Sequence, residues 1–228
     1  YSKRADEVKT FFNTTYWNDA LKMYWVDKQV DGYNNTQTIH SMALQCGLVP
    51  AALQEHVYEV LLENLTQKHD YKVTTGIHGT RALFDVLDQK ENSEVLYKVV
   101  MDERYPGWKY QIDKGATSLW QSFSGKAGLT HGMFGGGPID FVQRHLLGIR
   151  AEKVGSSKKI EIRPFIPDDM TYAEGKLSCY AGDIKVSWRK NGKKVVFEIE
   201  IPGNIEANFN YQNKNQNLHS GFNSITIE

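Results

Sequence analysis

The residues best suited to chemistry gather in one stretch, DERYPGWKYQIDKGATSLWQSFSGKAGLTHGMFGGG, residues 102–137. It holds Trp108, Trp120, the amide Gln121, a lone His131 and three successive glycines at 135–137. Aromatic rings displayed on loops suit sugars, because a flat ring stacks on the apolar C–H face of a pyranose while polar neighbours take the hydroxyls. Tyr105-Pro106-Gly107 reads as a turn holding the Trp108 ring outward, the alternative being a plug between helices. Thr117 is placed to cap a helix beginning at Ser118, with Trp120 and Gln121 in its first turn. A hydrolase would carry a carboxylate directly after Trp120. The chain has the amide Gln121 there, which taken alone reads as a helix-surface side chain. His131 precedes the Gly132–Gly137 run, where backbone can approach a ligand closely. It is open between a sugar contact and an ordinary satisfied hydrogen-bonder.

Other chemistries are excluded by missing patterns. HExxH, CxxC, GxSxG and a phosphate-cradling GKS do not occur, which removes metalloprotease, dithiol redox, α/β-hydrolase and P-loop readings. FGGGP does not follow a strand pattern, so it does not cradle a nucleotide. The two cysteines, Cys46 and Cys179, are expected to be buried free thiols, too few for a disulfide framework or a zinc site. No metal and no cofactor is expected. The 228 residues balance 27 basic against 27 acidic side chains, and no run of 18 apolar residues occurs. Neither nucleic acid nor a membrane is an expected partner.

Two kinds of element must position that stretch. Up to about residue 150 the apolar spacing is helical. SKRADEVKTFFNTTYWN makes a stripe of Ala5, Val8, Phe11 and Phe12. QTIHSMALQCGLVP ends on Gly47 and Pro50, and PAALQEHVYEVLLENLTQ lines up Leu53, Val57, Val60, Leu61 and Leu65. TTGIHGTRALFDVLDQ carries Ala82, Leu83, Val86 and Leu87. SEVLYKVVMDE follows, and GPIDFVQRHLLGIRA turns Ile139, Val142, Leu146 and Leu147 inward. About six helices in antiparallel pairs result, with 104–115 and 123–137 as loops. From about residue 157 the period is two, in KKIEIRPFI, GDIKVSWRK and KKVVFEIEIP, with Lys190-Asn191-Gly192-Lys193 as a tight hairpin. This predicts an α+β, two-domain chain: a helical domain over 1–150 and a small antiparallel β-sandwich over 151–228.

QTIHSMALQCGLVP, VTTGIHGTRALFDVL, ERYPGWKY, KGATSLWQSF and THGMFGGGPIDFVQRHLLGI, in that order, resemble the C-terminal part of bacterial α-L-rhamnosidases, glycoside hydrolase family 78. The resemblance continues through IRPFIP, GDIKVSW and IEIPGN and covers nearly the whole chain. It implies part of an (α/α)6 toroid followed by a β-sandwich, and a carbohydrate partner carrying terminal rhamnose. It also implies an inverting mechanism, with an acid and a base separated by about 6.5–9.5 Å. The acid would come from a segment upstream of this chain. The family's base is the glutamate after the tryptophan of the GAT..W motif, and this sequence has Gln121 there. By the same resemblance His131 matches a sugar-contacting histidine, and Trp108 and Trp120 belong to the substrate pocket.

Gln121 leaves three possibilities: a weak or inactive homologue, a carboxylate substituting from nearby (Asp113 or Glu103), or a residue altered deliberately. A non-catalytic sugar-binding homologue and an unrelated helical interaction domain are the alternative functions. A truncated toroid would also expose helix faces and favour self-association. Compartment is left open among periplasmic, secreted and cytoplasmic.

Overall fold

The computed structural model describes residues 1–26, 36–120, 123, 132–151 and 158–228. The sites expected at Gln121 and His131 lie outside the described residues. The chain divides into two compact units, 1–138 and 139–228, the division falling at Pro138 inside the last helix.

The first unit is helical. Helix α1 (Ser2–Tyr16) runs into a short hairpin, β1 (Trp17–Asn18) and β2 (Met23–Tyr24). Then come α2 (Thr36–Gln45), α3 (Gln54–Glu63, prolonged by a π turn over 64–68), α4 (Ile77–Gln89), α5 (Ser93–Met101), α6 (Trp108–Asp113) and α7 (Gly132–Phe141, prolonged by a π turn over 142–146). Helix α6 and the first turns of α7, residues 132–137, lie where loops were expected. Helix α2 packs against α4 as well as against α3, its successor in the chain. The approach to α4 is close because Gly79 has no side chain: a Cβ there would stand 2.8 Å from Thr38 Oγ1. Alternate helices side by side are the arrangement of a helical-hairpin toroid. The stripes of α3 and α4 are buried as their spacing requires, through Val57, Leu61 and Leu65 and through Ala82, Leu83, Val86 and Leu87.

Two stripes behave differently. Helix α1 has no buried residue, and Phe11 is 63% exposed. Phe12 packs instead, with its ring 5.0 Å from that of Tyr24. In α7, Ile139 and Val142 were expected to face inward and are exposed. The buried face of that helix is Gly137, Phe141 and His145, at spacings of four, and the Phe141 and His145 rings stack at 5.3 Å. The bulky Phe141 takes the inward position and turns the aliphatic residues out. Leu146 and Leu147 are buried as expected.

The exposed α1 stripe leads to a prediction. Phe11→Ser should change the unfolding midpoint little, since surface positions of this kind shift stability by about 0.5 kcal/mol or less. It should also reduce concentration-dependent association. Sedimentation of both proteins across a concentration series checks this, and equal association would show that α1 is not the sticky face.

The second unit is a β-sandwich. One sheet, in the order β10-β7-β6-β5, is antiparallel throughout: β5 (Tyr172–Cys179), β6 (Gly182–Asn191), β7 (Lys194–Ile201) and β10 (Gly221–Ile227). The other runs β3-β4-β8-β9: β3 (Ile149–Ala151), β4 (Lys159–Ile162), β8 (Glu206–Tyr211) and β9 (Lys214–Leu218). Here β4 and β8 pair in parallel, Ile162 opposite Phe209, so the sandwich is not purely antiparallel. Strand β7 shows the period-two rule directly: Val195, Phe197, Ile199 and Ile201 point into the core and Glu198 and Glu200 out. Phe197 meets Phe209 of the opposite sheet edge-on at 4.9 Å. Trp188, fully buried, donates its Nε1–H to the Leu146 carbonyl at 2.7 Å. The expected hairpin is present, with its two-residue loop at Gly192-Lys193 and Asn191 still in the strand opposite Lys194. Gly192 has φ +64°, the first central position of a primed turn.

No helix among the described residues is long and apolar enough to cross a membrane. Cys46 is exposed, contrary to expectation, and Cys179 is partly buried with its thiol donating to the Gly182 carbonyl. The exposure follows from position: Cys46 lies just past the last turn of α2, where the chain leaves the core at Gly47.

Candidate functional site

The turn Tyr105-Pro106-Gly107 is fastened from below. Asp102 is almost buried and accepts from the Arg104 backbone N–H at 2.8 Å, from Arg104 Nε at 2.9 Å and Nη2 at 2.6 Å, and from Lys72 Nζ at 3.3 Å. Burial alone would raise the Asp102 pKa. The hydrogen bonds from Arg104 and Lys72 outweigh it and hold the carboxyl below its ordinary value. Arg104 also pairs with Asp70. The Tyr105-Pro106 bond is cis, and Gly107 is confined: a Cβ would lie 2.6 Å from the Asp102 carbonyl oxygen.

Trp108 opens α6 directly after that glycine. Its ring is not held outward, because the residue is only 2% exposed. Phe84 meets it edge-on at 5.5 Å and Phe123 at 5.1 Å. Phe84 in turn presses on Gly137, whose Cβ, if present, would be 2.9 Å from the ring. One member of the glycine run is thus explained by helix packing. The aromatic cluster buries enough apolar area to draw Trp108 inward. A pyranose needs an open ring face, so Trp108 can support a site from beneath but offers no stacking platform.

The segment after α6 departs from the expected helix. Gly115, at φ +84°, ends α6 with the double bond pattern of a glycine C-cap: Gly115 N–H to the Ile112 carbonyl at 2.9 Å and Ala116 N–H to the Gln111 carbonyl at 3.0 Å. Residues 117–120 are bent and extended, not helical. The Trp120 N–H, which a Thr117 cap was expected to satisfy, is taken by the side chain of Gln111. Its Oε1 accepts at 3.0 Å. Gln111 is 0% exposed, and its Nε2 has no partner among the described residues. Trp120 is half-buried, less enclosed than Trp108. Gln111, Ile112 and 116–119 line a hollow of about 170 Å³.

The two carboxylates considered as substitutes for a base are both occupied. Lys109 Nζ lies 3.0 Å from Asp113 Oδ2 and 3.1 Å from Glu103 Oε1. Asp113 and then Glu103 raise the Lys109 pKa. Both carboxylates are exposed and share one ammonium, Glu103 through a single oxygen. No group of three or more His, Cys, Asp or Glu suited to a metal occurs among the described residues. Gln111 and the Asp102–Arg104 fastening escaped the sequence reading. Neither has a local signature, since each depends on a partner brought close by folding.

Comparison with known proteins agrees with this architecture. Residues 1–146 match the family model of the bacterial α-L-rhamnosidase 6 hairpin glycosidase domain, and residues 148–223 that of the bacterial α-L-rhamnosidase C-terminal domain. An α-L-rhamnosidase of Alteromonas sp. is 30% identical over 76% of the chain, and one of Formosa agariphila 28% identical over 88%. The chain spans about a fifth of those relatives, 20% and 22% of their length. The α-L-rhamnosidase structure from Dictyoglumus thermophilum superposes with a TM-score of 0.75 at 31% identity, over 92% of this chain and 23% of that one. The Streptomyces avermitilis α-L-rhamnosidase complexed with L-rhamnose has the same fold, with a TM-score of 0.76 at 21% identity over 98% of this chain and 24% of that one. An unrelated helical interaction domain is thereby excluded. The chain belongs to the bacterial α-L-rhamnosidases, its helices falling in the six-hairpin glycosidase domain and its two four-stranded sheets in the C-terminal domain.

Proposed function

We propose that the protein carrying this chain binds terminal α-L-rhamnose on a glycan or glycoside, and that this chain supplies the wall of the site that faces the attacking water. The reading rests on family membership together with one observation. The segment after α6 bends back until Gln111 holds the Trp120 N–H, and the resemblance puts the family's general base at the position following Trp120. In an inverting hydrolysis one carboxylic acid protonates the leaving oxygen while a carboxylate on the opposite side takes a proton from water as it attacks. Gln121 can accept a hydrogen bond from that water through its carbonyl and so orient it. As a neutral amide it cannot carry the proton away. Hydrolysis is therefore slow, and binding persists.

Within this reading Trp120 is the stacking ring, His131 a contact to sugar hydroxyls, and Trp108 the buried support. Asp113 and Glu103 take no part. A second reading, sugar binding with no hydrolysis at all, is favoured by Gln121 itself.

The test uses the full-length parent. Titration with L-rhamnose should show binding, and an aryl α-L-rhamnoside should turn over slowly if at all. Trp120→Ala should weaken rhamnose binding by about tenfold, the worth of one aromatic contact. Fast wild-type turnover would overturn the slow-hydrolysis reading, and absence of rhamnose binding would overturn both readings.

A further inference from the structure

We propose that Gln111 is a positioning residue for the sugar site, acting through the Trp120 backbone. This rests on the proposed function above, and it assigns a role to a residue that the family resemblance left without one.

Gln111 ties the segment at both of its ends. Its backbone carbonyl accepts the N–H groups of Lys114 at 3.2 Å and Ala116 at 3.0 Å, which closes α6. Its side-chain carbonyl accepts the Trp120 N–H at 3.0 Å, which brings the chain back nine residues later. A single buried residue thus sets where the intervening loop begins and where it ends. The geometry leaves little freedom: Gln111 sits in α6, three residues after the anchored Trp108, and is entirely buried. Fixing the N–H of Trp120 fixes the peptide plane between Leu119 and Trp120, and with it the place of the Trp120 Cα from which the ring projects. Small displacements of a reacting group are costly, about 10²-fold in rate for an error near 1 Å. An amide suits this task better than a charged group, since a buried charge without a partner would itself perturb the fold. The other half of the amide, Nε2, has no partner among the described residues. Retaining a buried polar group at the cost of one unsatisfied donor is reasonable where its acceptor is needed.

The experiment uses the full-length parent, with Gln111→Met, which keeps length but removes the acceptor, and Gln111→Asn, which keeps the amide but shortens its reach. Each is made alone and together with Gln121→Glu. In the Gln121→Glu background, Gln111→Met should lower kcat by tenfold or more, about 10²-fold at most, with KM nearly unchanged. Gln111→Asn should lower kcat in the same direction. A structural role alone would move the unfolding midpoint and the amount of folded protein, not kcat against KM. If Gln121→Glu gains activity and Gln111→Met leaves it intact, the positioning role is overturned while the general-base reading stands. If Gln121→Glu gains nothing, that reading fails, and L-rhamnose affinity then decides the role of Gln111. Weaker binding in Gln111→Met sustains it, and unchanged binding overturns it. Should Gln111→Met fail to fold, Gln111→Asn is read in its place, since it keeps the amide but withdraws it from reach of Trp120.

Discussion

Gln121→Glu in the full-length protein should raise kcat on an aryl α-L-rhamnoside by about 10²–10⁴-fold, the usual contribution of a general base. That corresponds to about 3–5 kcal/mol of barrier. The two side chains differ by one atom, NH₂ against O⁻, so the change tests chemistry with little change of shape. KM should stay nearly constant if, as proposed, the sugar contacts are made by Trp120 and His131. The pH–rate profile should gain an ascending limb through the pKa of the new carboxylate, a feature that better folding could not produce. A rate within twofold of wild type would mean that position 121 does not face the attacking water. The neighbours argue against compensation from within this chain. Asp113 and Glu103 both pair with Lys109 on the surface of the α6 region.

Much of the fold was legible because burial follows period. The α4 segment reads as a helix from Ala82, Leu83, Val86 and Leu87, and all four are in the core. Strand β7 reads from simple alternation and packs accordingly. What escaped notice lacks such a signal. Strand β9, Lys214-Asn-Gln-Asn-Leu, is polar at every position but the last, and it is held in place by pairing with β8. The short α6 has no amphipathic repeat to find; it is defined by Gly107 before it and Gly115 after it. Ile139 and Val142 were misplaced because several apolar residues in α7 compete for one buried face, and Phe141 occupies it.

The candidate site was legible in a different way. Residue types and order pointed to 102–137, but orientation did not follow from them. The turn before Trp108 suggested an outward ring, whereas Phe84 and Phe123 draw it inside. Thr117 carries the right side chain for a cap, yet Gln111 reaches the donor from the preceding helix. Both reversals come from contacts between segments far apart or differently folded than local pattern implies. That is where tertiary packing overrides propensity.

The chain should lose about 3 kcal/mol of stability as pH falls from 7 to 4, through one buried residue of α2, His40. His40 is fully buried in α2, and its Nδ1 lies 2.7 Å from the Thr36 carbonyl. A carbonyl can only accept, so Nδ1 carries the proton and the neutral ring leaves Nε2 bare, with no partner among the described residues. Its neighbours offer no compensation for a charge. Tyr24 stands edge-on at 5.8 Å, with its hydroxyl donated to Asn13 Oδ1, and His56 of α3 would repel a second cation. Burial accordingly lowers the His40 pKa from 6.5 to about 4, against a smaller upward pull from the Thr36 bond. Above pH 6.5 both folded and unfolded chains hold a neutral ring, and this group leaves stability unaffected by pH. Between 6.5 and about 4 the unfolded chain takes a proton that the folded chain refuses, so stability falls across that window. His40→Phe fills the same space without a titratable group and should flatten this part of the profile. Urea midpoints followed by the helical signal at pH 7 and pH 4 measure the difference. Parallel loss in wild type and His40→Phe would assign the acid sensitivity elsewhere, with the carboxylate of Asp102 the next group to test, since its lowered pKa ties stability to its ionised form.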